Sequence, residues 1–348
     1  MPAPLRALLA ALALALAACS SGPTESATPP AEEPASTETT AAPATVAPTT
    51  TTTAPPATPP PTTAPPPPQP VAGGPLPKAL LTATGVTVPV LAREGDALRV
   101  GTPCGATALL GSGTPVDGTV VLDAGHGGVE PGAVGPAGLS EKELNLAVTG
   151  HAKAALERAG VQVVLTRPGD YRVTLEARAK IVHAVKPRAF VSIHHNAEPD
   201  GPFPKPGAET YYQTVGDSAG ESKRLSGLVY EEIVRALSQY EGVTWVADTD
   251  AGAKYRKSGS GDDYYGILRR TQGVPATLAE LAFVSNPPEE ALLARADVQK
   301  VEGEAVAQGI LRFLRTQDPG SGFTEPYPRE APAGGGGGAS NCKDPVLA

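Results

Sequence analysis

The chain has 348 residues, a formal net charge of −8 and five histidines. The acidic balance and the lack of any run of basic residues in the sequence give no reason to expect nucleic-acid binding. Low-complexity segments near both ends leave only the middle of the chain to build a hydrophobic core.

The N-terminal segment predicts export. Residues 1–18 hold one basic residue, Arg6, followed by the apolar run ALLAALALALAA, which is typical of a secretory signal and too short for a transmembrane helix. The next residue completes LAAC, which resembles a bacterial lipobox, and in such signals the cysteine, here Cys19, is lipidated and becomes the mature N-terminus. The alternative is an ordinary cleaved signal followed by a chance cysteine. We therefore expect an exported protein, lipid-anchored to the outer face of the bacterial cell membrane.

Two low-complexity segments flank the part that can fold. Residues 19–75 consist mainly of Pro, Thr, Ala and Ser without an aromatic residue, so they should form a disordered, semi-extended linker. At ~3.1 Å per residue this linker would reach up to roughly 170 Å. Residues 317–348 are rich in Pro and Gly and are expected to be mostly flexible.

Two cysteines remain if Cys19 carries a lipid. An exported chain permits a disulfide between Cys104 and Cys342, and the alternative is two unpaired thiols. Such a bond would hold the C-terminal tail against the region before the main domain.

Short β-like pieces precede the main domain. Residues 76–116 contain GVTVPVL, DALRVGTP and ATALLGSG, and glycine or proline punctuates each piece. This is too little sequence for an independent domain, so we expect a small β extension packed on the main domain.

Residues 117–316 alternate between apolar strands and helices, which is typical of a parallel sheet covered on both faces. The sequence therefore predicts an α/β fold, a mostly parallel sheet with helices on both faces, preceded by the small β extension. The first predicted helix carries a capping-box pattern, formed by Ser140 and Glu143. The predicted strands are TVVLDAG, VQVVLTR, AFVSIHH and TLAELAF, and the predicted helices cover residues 140–159, about 175–185, about 221–238 and 291–314.

Histidine and glutamate side chains lie near the predicted strand ends, where ligands bind in such folds. His126 follows the first strand, His194 and His195 end the third, Glu280 lies near the end of the last, and Glu141 opens the first helix. Two imidazoles and one carboxylate are a common catalytic zinc set. A further carboxylate can serve as general base toward water that zinc has acidified. No HExxH motif is present in the sequence.

Glycines surround the first of these histidines in the stretch VVLDAGHGGVEPGA. A loop that turns a histidine ring onto a metal needs backbone freedom, which Gly125, Gly127 and Gly128 provide. A phosphate-binding loop would be expected to carry GxxxxGK[ST], which the sequence lacks here.

At these residues the chain resembles the zinc-dependent N-acetylmuramoyl-L-alanine amidases of the amidase_3 type. The resemblance implies that His126, Glu141 and His194 bind one zinc ion and that Glu280 is catalytic. Where the family usually has the proline of DPGHGG, this chain has Ala124, a change that should leave the metal site intact. The matching stretches occur in the family's order: VVLDAGHGGVEPGAVGPAGLSEKELNLA, VVLTRPGDYRVTLEAR, FVSIHHNAEPDG, GAETYYQ and VPATLAELAFVSN.

The resemblance also implies a reaction. The enzyme would hydrolyse the amide between N-acetylmuramic acid and the L-alanine of the peptidoglycan stem peptide, with zinc supplying hydroxide and Glu280 moving the proton. We expect a monomer that remodels the cell wall. Its expected partners are peptidoglycan and, through the lipid anchor, the membrane. Two alternatives remain: a zinc amidase or peptidase acting on a different bond, and a non-catalytic peptidoglycan-binding lipoprotein that kept the fold.

Other residues near these stretches are also candidates. Asn196 and Arg269 are predicted to contact substrate, although Arg269 beside Arg270 is equally compatible with a solvated charge. Neighbouring strand residues point to opposite faces, so His195 should support the site or pack in the core rather than reach the metal with His194. Residues 249–265 are expected to form a mobile loop over the groove.

Overall fold

The structure, a computed structural model, describes residues 69–70, 73–198, 207–243, 251–325 and 340–348. The predicted signal peptide, Cys19 and most of the predicted linker lie outside these residues. Across the described ranges, none of the helices combines the length and the apolar character needed to cross a bilayer.

A six-stranded antiparallel sheet occupies the region of the predicted β extension, in the order β1-β6-β2-β3-β4-β5. Its alternate residues form a small core of their own, which includes Leu80, Val88, Leu98 and Val100, all fully buried. The strands are β1 Gln69–Pro70, β2 Ala79–Leu81, β3 Thr87–Glu94, β4 Ala97–Gly101, β5 Thr107–Leu110 and β6 Ser112–Val116.

A second six-stranded sheet, in the order β11-β10-β12-β9-β7-β8, forms the centre of the main domain. The α/β class is therefore confirmed, but the sheet is mixed, because β10 pairs antiparallel with β12 while the other pairings are parallel. Glu209, which opens β10, lies level with Glu280, and Glu280 lies level with His194 near the end of β9. The chain thus enters β10 at the edge where β9 finishes and runs back. The strands are β7 Val120–Ala124, β8 Val163–Leu165, β9 Ala189–Asn196, β10 Glu209–Tyr212, β11 Gly252–Lys254 and β12 Ala276–Phe283.

Helices cover both faces of this second sheet. Successive β7 residues belong to different clusters: Val120 and Leu122 pack with α1, α3 and α6, whereas Val121 packs with α2 and α4. This division follows from the two-residue repeat of a strand. The helices are α1 Glu141–Arg158, α2 Leu175–Val185, α3 Ala219–Leu237, α4 Gly266–Arg270, α5 Pro287–Leu293 and α6 Ala296–Arg315.

Three local features differ from what the sequence predicts. Ser140 makes no side-chain cap at α1, so the predicted capping box is wrong; the amides of Glu141 and Lys142 instead donate to the carbonyls of Ala133 and Pro131 in the preceding loop. Part of the segment expected to be a mobile loop forms strand β11. The short helix α4 was not predicted from the sequence.

The described parts of the C-terminal tail contact the folded region. Cys104 and Cys342 form a disulfide, and the Cys104 amide donates to Asp344 Oδ1 at 2.7 Å. Earlier in the tail, Phe323 forms a parallel bridge with Ala253 of β11. These contacts bring the tail to the β extension and to the edge of the second sheet.

A buried ion pair joins β7 to α2. Asp123, which is 1% exposed, pairs with the Arg178 guanidinium and accepts hydrogen bonds from Thr166 Oγ1 and, at 2.7 Å, from Ser192 Oγ. Burial raises the pKa of Asp123, but the charge of Arg178 and these hydrogen bonds outweigh it, so the pKa lies below its usual value. The carboxylate therefore ties β7, β8, β9 and α2 together at one end of the sheet.

The substitution Asp123→Asn should lower the free energy of unfolding by ~3–5 kcal/mol at pH 7, because it leaves the Arg178 charge buried without its partner. The folded pKa of Asp123 lies below the unfolded value of about 3.9. The contribution of ionised Asp123 to the free energy of unfolding is complete above the unfolded pKa and is lost as the pH falls through the folded pKa. Urea unfolding at pH 7 and about pH 3 should therefore show a smaller difference between variant and wild type at the lower pH.

The matched control is Asp96→Asn, in the exposed turn between β3 and β4. It should change the free energy of unfolding by less than about 0.5 kcal/mol at either pH. A penalty for Asp123→Asn that stays constant between the two pH values would contradict the ion pair as its source.

Candidate metal centre

The loop after β7 carries His126 in an unusual backbone conformation. His126 has φ 59°, in the left-handed region that non-glycine residues seldom adopt. Two arginines hold this backbone through its carbonyls: Arg167 Nη2 donates to Gly125 O at 3.0 Å, Arg178 Nη1 to Ala124 O at 2.7 Å, and Arg178 Nη2 to His126 O at 2.6 Å. The conformation of the loop is thus fixed by charged donors beneath it.

Two glycines of this loop leave room for the candidate ligands. A Cβ on Gly125 would lie 2.2 Å from Cε1 of the His194 ring, closer than such atoms approach. A Cβ on Gly132, where φ is +70°, would lie 2.4 Å from Glu141 Oε2 and 2.7 Å from His126 Cδ2. The close approach of the three side chains therefore requires glycine at both positions.

The loop, α1 and β9 bring His126, Glu141 and His194 together. His126 Nε2 lies 3.2 Å from Glu141 Oε2, and His194 Nδ1 lies 3.0 Å from Glu141 Oε1. The amide of Ala133 also donates to Glu141 Oε2, at 2.8 Å. One donor atom from each of the three side chains lies within 4.8 Å of the others, so the cluster can hold a metal ion.

Burial and mutual contact shift the pKa values of the three groups. Burial raises the pKa of Glu141, but hydrogen bonds from His126 and His194 outweigh it and hold the pKa well below its usual range. Burial lowers the pKa of His126, yet the hydrogen bond and charge of Glu141 produce a net rise. For His194 burial dominates, and its pKa falls. The site thus keeps Glu141 ionised between two imidazoles.

Glu280 lies beside this cluster. It pairs in register with His194 across the β9–β12 ladder, so the two side chains stand on the same face of adjacent parallel strands, which lie ~4.8 Å apart. Its charge also acts on Tyr265: burial raises the pKa of Tyr265, and the Glu280 charge raises it further. The structure therefore brings all four residues of the predicted catalytic set to one edge of the sheet.

A buried charge pair, absent from the sequence-based prediction, supports the neighbouring strand. Glu209 Oε1 accepts from Lys254 Nζ at 3.0 Å, and Glu209 Oε2 accepts from Tyr211 Oη at 2.7 Å and from Asn196 Nδ2 at 2.9 Å. Glu209 lies opposite Glu280 in the β10–β12 ladder. The only signal in the sequence is the glutamate of GAETYYQ, since Lys254 falls in the segment expected to be a loop.

The two predicted substrate contacts have partners inside the protein. The Asn196 side chain donates to Glu209, on the face that also carries His194. Arg269 Nη1 donates to the carbonyls of Asp263, at 2.5 Å, and Tyr264, at 2.8 Å. Asn196 thus lies near the cluster, Arg269 holds the loop before α4, and the substrate contact of each stays a prediction.

The remaining histidines do not join the cluster. His195 is 1% exposed and its Nδ1 lies 2.7 Å from Asn145 Oδ1, on the sheet face opposite to His194. His183 is exposed on α2, where its Nε2 lies 2.7 Å from the Arg270 carbonyl. His151 is half-buried on α1 beside α6.

Comparison with known proteins gives a consistent family. Residues 120–312 match the family described as Amidase_3: N-acetylmuramoyl-L-alanine amidase. The uncharacterized protein YqiI of Bacillus subtilis is 35% identical over 210 residues, covering 60% of this chain and 88% of that protein. N-acetylmuramoyl-L-alanine amidase AmiA of Escherichia coli is 28% identical over 227 residues, covering 57% of this chain and 77% of AmiA.

A solved structure agrees with the fold. Cwp6 from Clostridium difficile aligns with a TM-score of 0.50 and 29% identity, over 57% of this chain and 30% of the Cwp6 chain. The family match begins at the first residue of β7, ends within α6, and contains His126, Glu141, His194 and Glu280. The chain therefore belongs to the Amidase_3 family and is an N-acetylmuramoyl-L-alanine amidase.

Proposed function

We propose that the chain uses one zinc ion to hydrolyse the amide bond between N-acetylmuramic acid and the L-alanine of the peptidoglycan stem peptide. His126, Glu141 and His194 would hold the ion and Glu280 would act as general base. The observation that carries this proposal is the convergence of three donor side chains within 4.8 Å, next to a fourth, acidic side chain on β12.

The residues present fit zinc. Two imidazoles and a carboxylate, donated by three separate elements, are a set that catalytic zinc sites use while leaving a position for substrate or water. The preorganisation supports the same conclusion, because each Glu141 oxygen already lies within 3.2 Å of a histidine nitrogen. Zinc, when bound, supplies a Lewis acid that polarises a carbonyl and acidifies water.

Glu280 would handle the protons of the reaction. Its carboxylate stands beside His194 on the neighbouring strand, so it can accept a proton from attacking water and return it to the nitrogen of the leaving L-alanine. The buried pair formed by Glu209 and Lys254 would keep β10 and β11 rigid beneath it. Asn196, two residues beyond His194 and therefore on the same face of β9, would contact the bound glycan–peptide, and Arg269 would contact it from the α4 side.

We further propose that the enzyme acts in the cell wall from the membrane surface. The signal-like N-terminus with its lipobox cysteine, Cys19, and the Pro/Thr-rich linker after it support a lipid anchor on the outer face of the cell membrane. The linker would let a monomeric catalytic domain reach peptidoglycan at a distance from the bilayer.

The substitution His126→Ala should abolish hydrolysis of purified muropeptides, because two remaining donors hold zinc poorly. Mass spectrometry of the products measures this, and wild type should release intact stem peptide that begins with L-alanine. A chelator should have the same effect on wild type, and added zinc should reverse it.

The control is His183→Ala, since His183 is an exposed histidine on α2 away from the cluster. It should leave the product profile unchanged. Products cut within the stem peptide would indicate the competing peptidase activity, and no products from zinc-loaded wild type would indicate a binding protein instead.

The substitution Glu280→Gln should lower kcat by ~10²–10⁴-fold, the usual contribution of a general base. Zinc content should stay at the wild-type level, because Glu280 is not one of the three clustered donors. Initial rates and bound zinc are measured on the same preparation.

The matched control is Glu143→Gln, an exposed glutamate on α1. It should leave both kcat and zinc content unchanged. A Glu280→Gln enzyme with the wild-type kcat would refute the role of Glu280.

The substitution Cys19→Ser should release the protein from the membrane fraction of the producing cells, because the acylated residue would be lost. Cell fractionation with metabolic labelling by a fatty acid measures this. A wild-type protein that carries no fatty-acid label and is absent from the membrane fraction would indicate an ordinary cleaved signal instead of a lipid anchor.

A further inference from the structure

A buried polar chain runs from α6 to Glu141 on the sheet face opposite to His194. Glu302 Oε1 lies 3.3 Å from His195 Nε2, and His195 Nδ1 lies 2.7 Å from Asn145 Oδ1. Asn145 Nδ2 then donates to Glu141 Oε1 at 3.2 Å. The first three residues are at most 1% exposed. This polar chain of Glu302, His195 and Asn145 therefore connects α6 with Glu141, a candidate metal ligand, through residues that are shielded from solvent.

The donors and acceptors that each side chain offers fix which atom donates at every step of the polar chain. Asn145 Nδ2 faces two acceptors, Glu141 Oε1 and, at 3.3 Å, Gly125 O, so its side-chain oxygen faces His195. That oxygen can only accept, so His195 Nδ1 must donate. The opposite ring nitrogen, Nε2, lies 3.3 Å from Glu302 Oε1, and this contact holds the ring in the same orientation. His195, held between Glu302 and Asn145, therefore presents a fixed donor to Asn145.

Such a pair is expensive to bury. In the part of the protein that the structure describes, the buried Glu302 carboxyl contacts His195 and forms no salt bridge with a lysine or arginine. A pair of apolar side chains of similar size would pack α6 against α1 and β9 at a lower cost of desolvation. Helix packing alone therefore does not account for these two residues.

The polar chain ends at the Glu141 carboxylate. Its Oε1 accepts from Asn145 Nδ2 and, at 3.3 Å, from the backbone amide of His195. We propose that His195 and Glu302 are positioning residues that act through Asn145 to set the orientation of the Glu141 carboxylate for metal binding. This inference rests on the proposed zinc site. Hydrogen-bonded partners of a metal ligand contribute about 10–100-fold to metal affinity.

The test compares the zinc affinity of full-length variants by competition with a chromophoric chelator. His195→Leu and Asn145→Leu each interrupt the chain and should weaken zinc binding about 10–100-fold. Glu302→Gln should stay near wild type, because the glutamine amide can donate to His195 Nε2 and leave the proton on Nδ1. His195→Asn, whose amide nitrogen takes the place of Nδ1 and can still donate to Asn145 Oδ1, should recover affinity relative to His195→Leu.

The matched control is Thr149→Val, an isosteric change one turn beyond Asn145 on α1. Thr149 is fully buried, and its Oγ1 has no hydrogen-bond partner among the described residues. It should retain wild-type zinc affinity. Thermal unfolding of the zinc-free proteins reports packing separately, and the visible spectrum of the cobalt(II) forms reports ligand geometry, which should change in His195→Leu and not in Thr149→Val.

The outcomes separate this inference from the proposed function. Wild type without affinity for zinc would overturn the metal site itself. Wild type that binds zinc, with equal affinity in His195→Leu and Asn145→Leu, would overturn the positioning role and leave the metal site standing. If His195→Leu does not fold, Asn145→Leu and Glu302→Gln decide: the role fails if the former binds zinc normally or the latter loses it.

Discussion

The candidate site depends on two arginines that are buried beneath the loop after β7. Arg167 is fully buried, and its guanidinium donates to backbone carbonyls, including those of Gly125 at 3.0 Å and Lys142 at 3.0 Å. Arg178 donates to Ala124 O and His126 O and pairs with Asp123. Burial lowers the pKa of Arg167 to about 10, which leaves it charged at neutral pH. The hydrogen bonds from these two cations offset the cost of the left-handed backbone conformation of His126, which non-glycine residues seldom adopt.

The strand register supplies the other half of the site. His194 and Glu280 are level on adjacent parallel strands, and Glu209 is level with Glu280 on the antiparallel neighbour. One line across three strands therefore carries a proposed metal ligand, the proposed base and a buried carboxylate. The two faces are used differently: His194 points to the proposed zinc, while His195 points to the polar chain that ends at Glu141. The two adjacent histidines of β9 thus both act on Glu141: His194 contacts it directly, and His195 reaches it through Asn145 on the opposite face of the sheet.

Much of this arrangement could be predicted from the sequence, but buried charges could not. Strand–helix alternation indicated the α/β class, and the helix predicted over about residues 175–185 spans Leu175–Val185 in the structure. Ser140 has the right type for a cap, but the preceding loop already accepts from the first amides of α1. Lys254 lies in the segment expected to be a mobile loop, yet it is 1% exposed and pairs with Glu209, 45 positions away in the sequence. Such a pair has no local pattern, because it is defined only when two distant elements pack, and a charged residue is solvated far more often than buried.

The β extension reaches the site through α2, although it lies outside the matched family segment. The carbonyl of Pro103 accepts from the amide of Thr174 at 3.0 Å, and Thr174 Oγ1 caps α2 by accepting from Ala177 N at 3.2 Å. The first turns of α2 carry Arg178, which holds the carbonyl of His126. Since Pro103 precedes the disulfide-bonded Cys104, the C-terminal tail is fastened to the same turn that supports the start of α2. The extension thus supports the loop that carries His126, in addition to connecting the linker to the main domain.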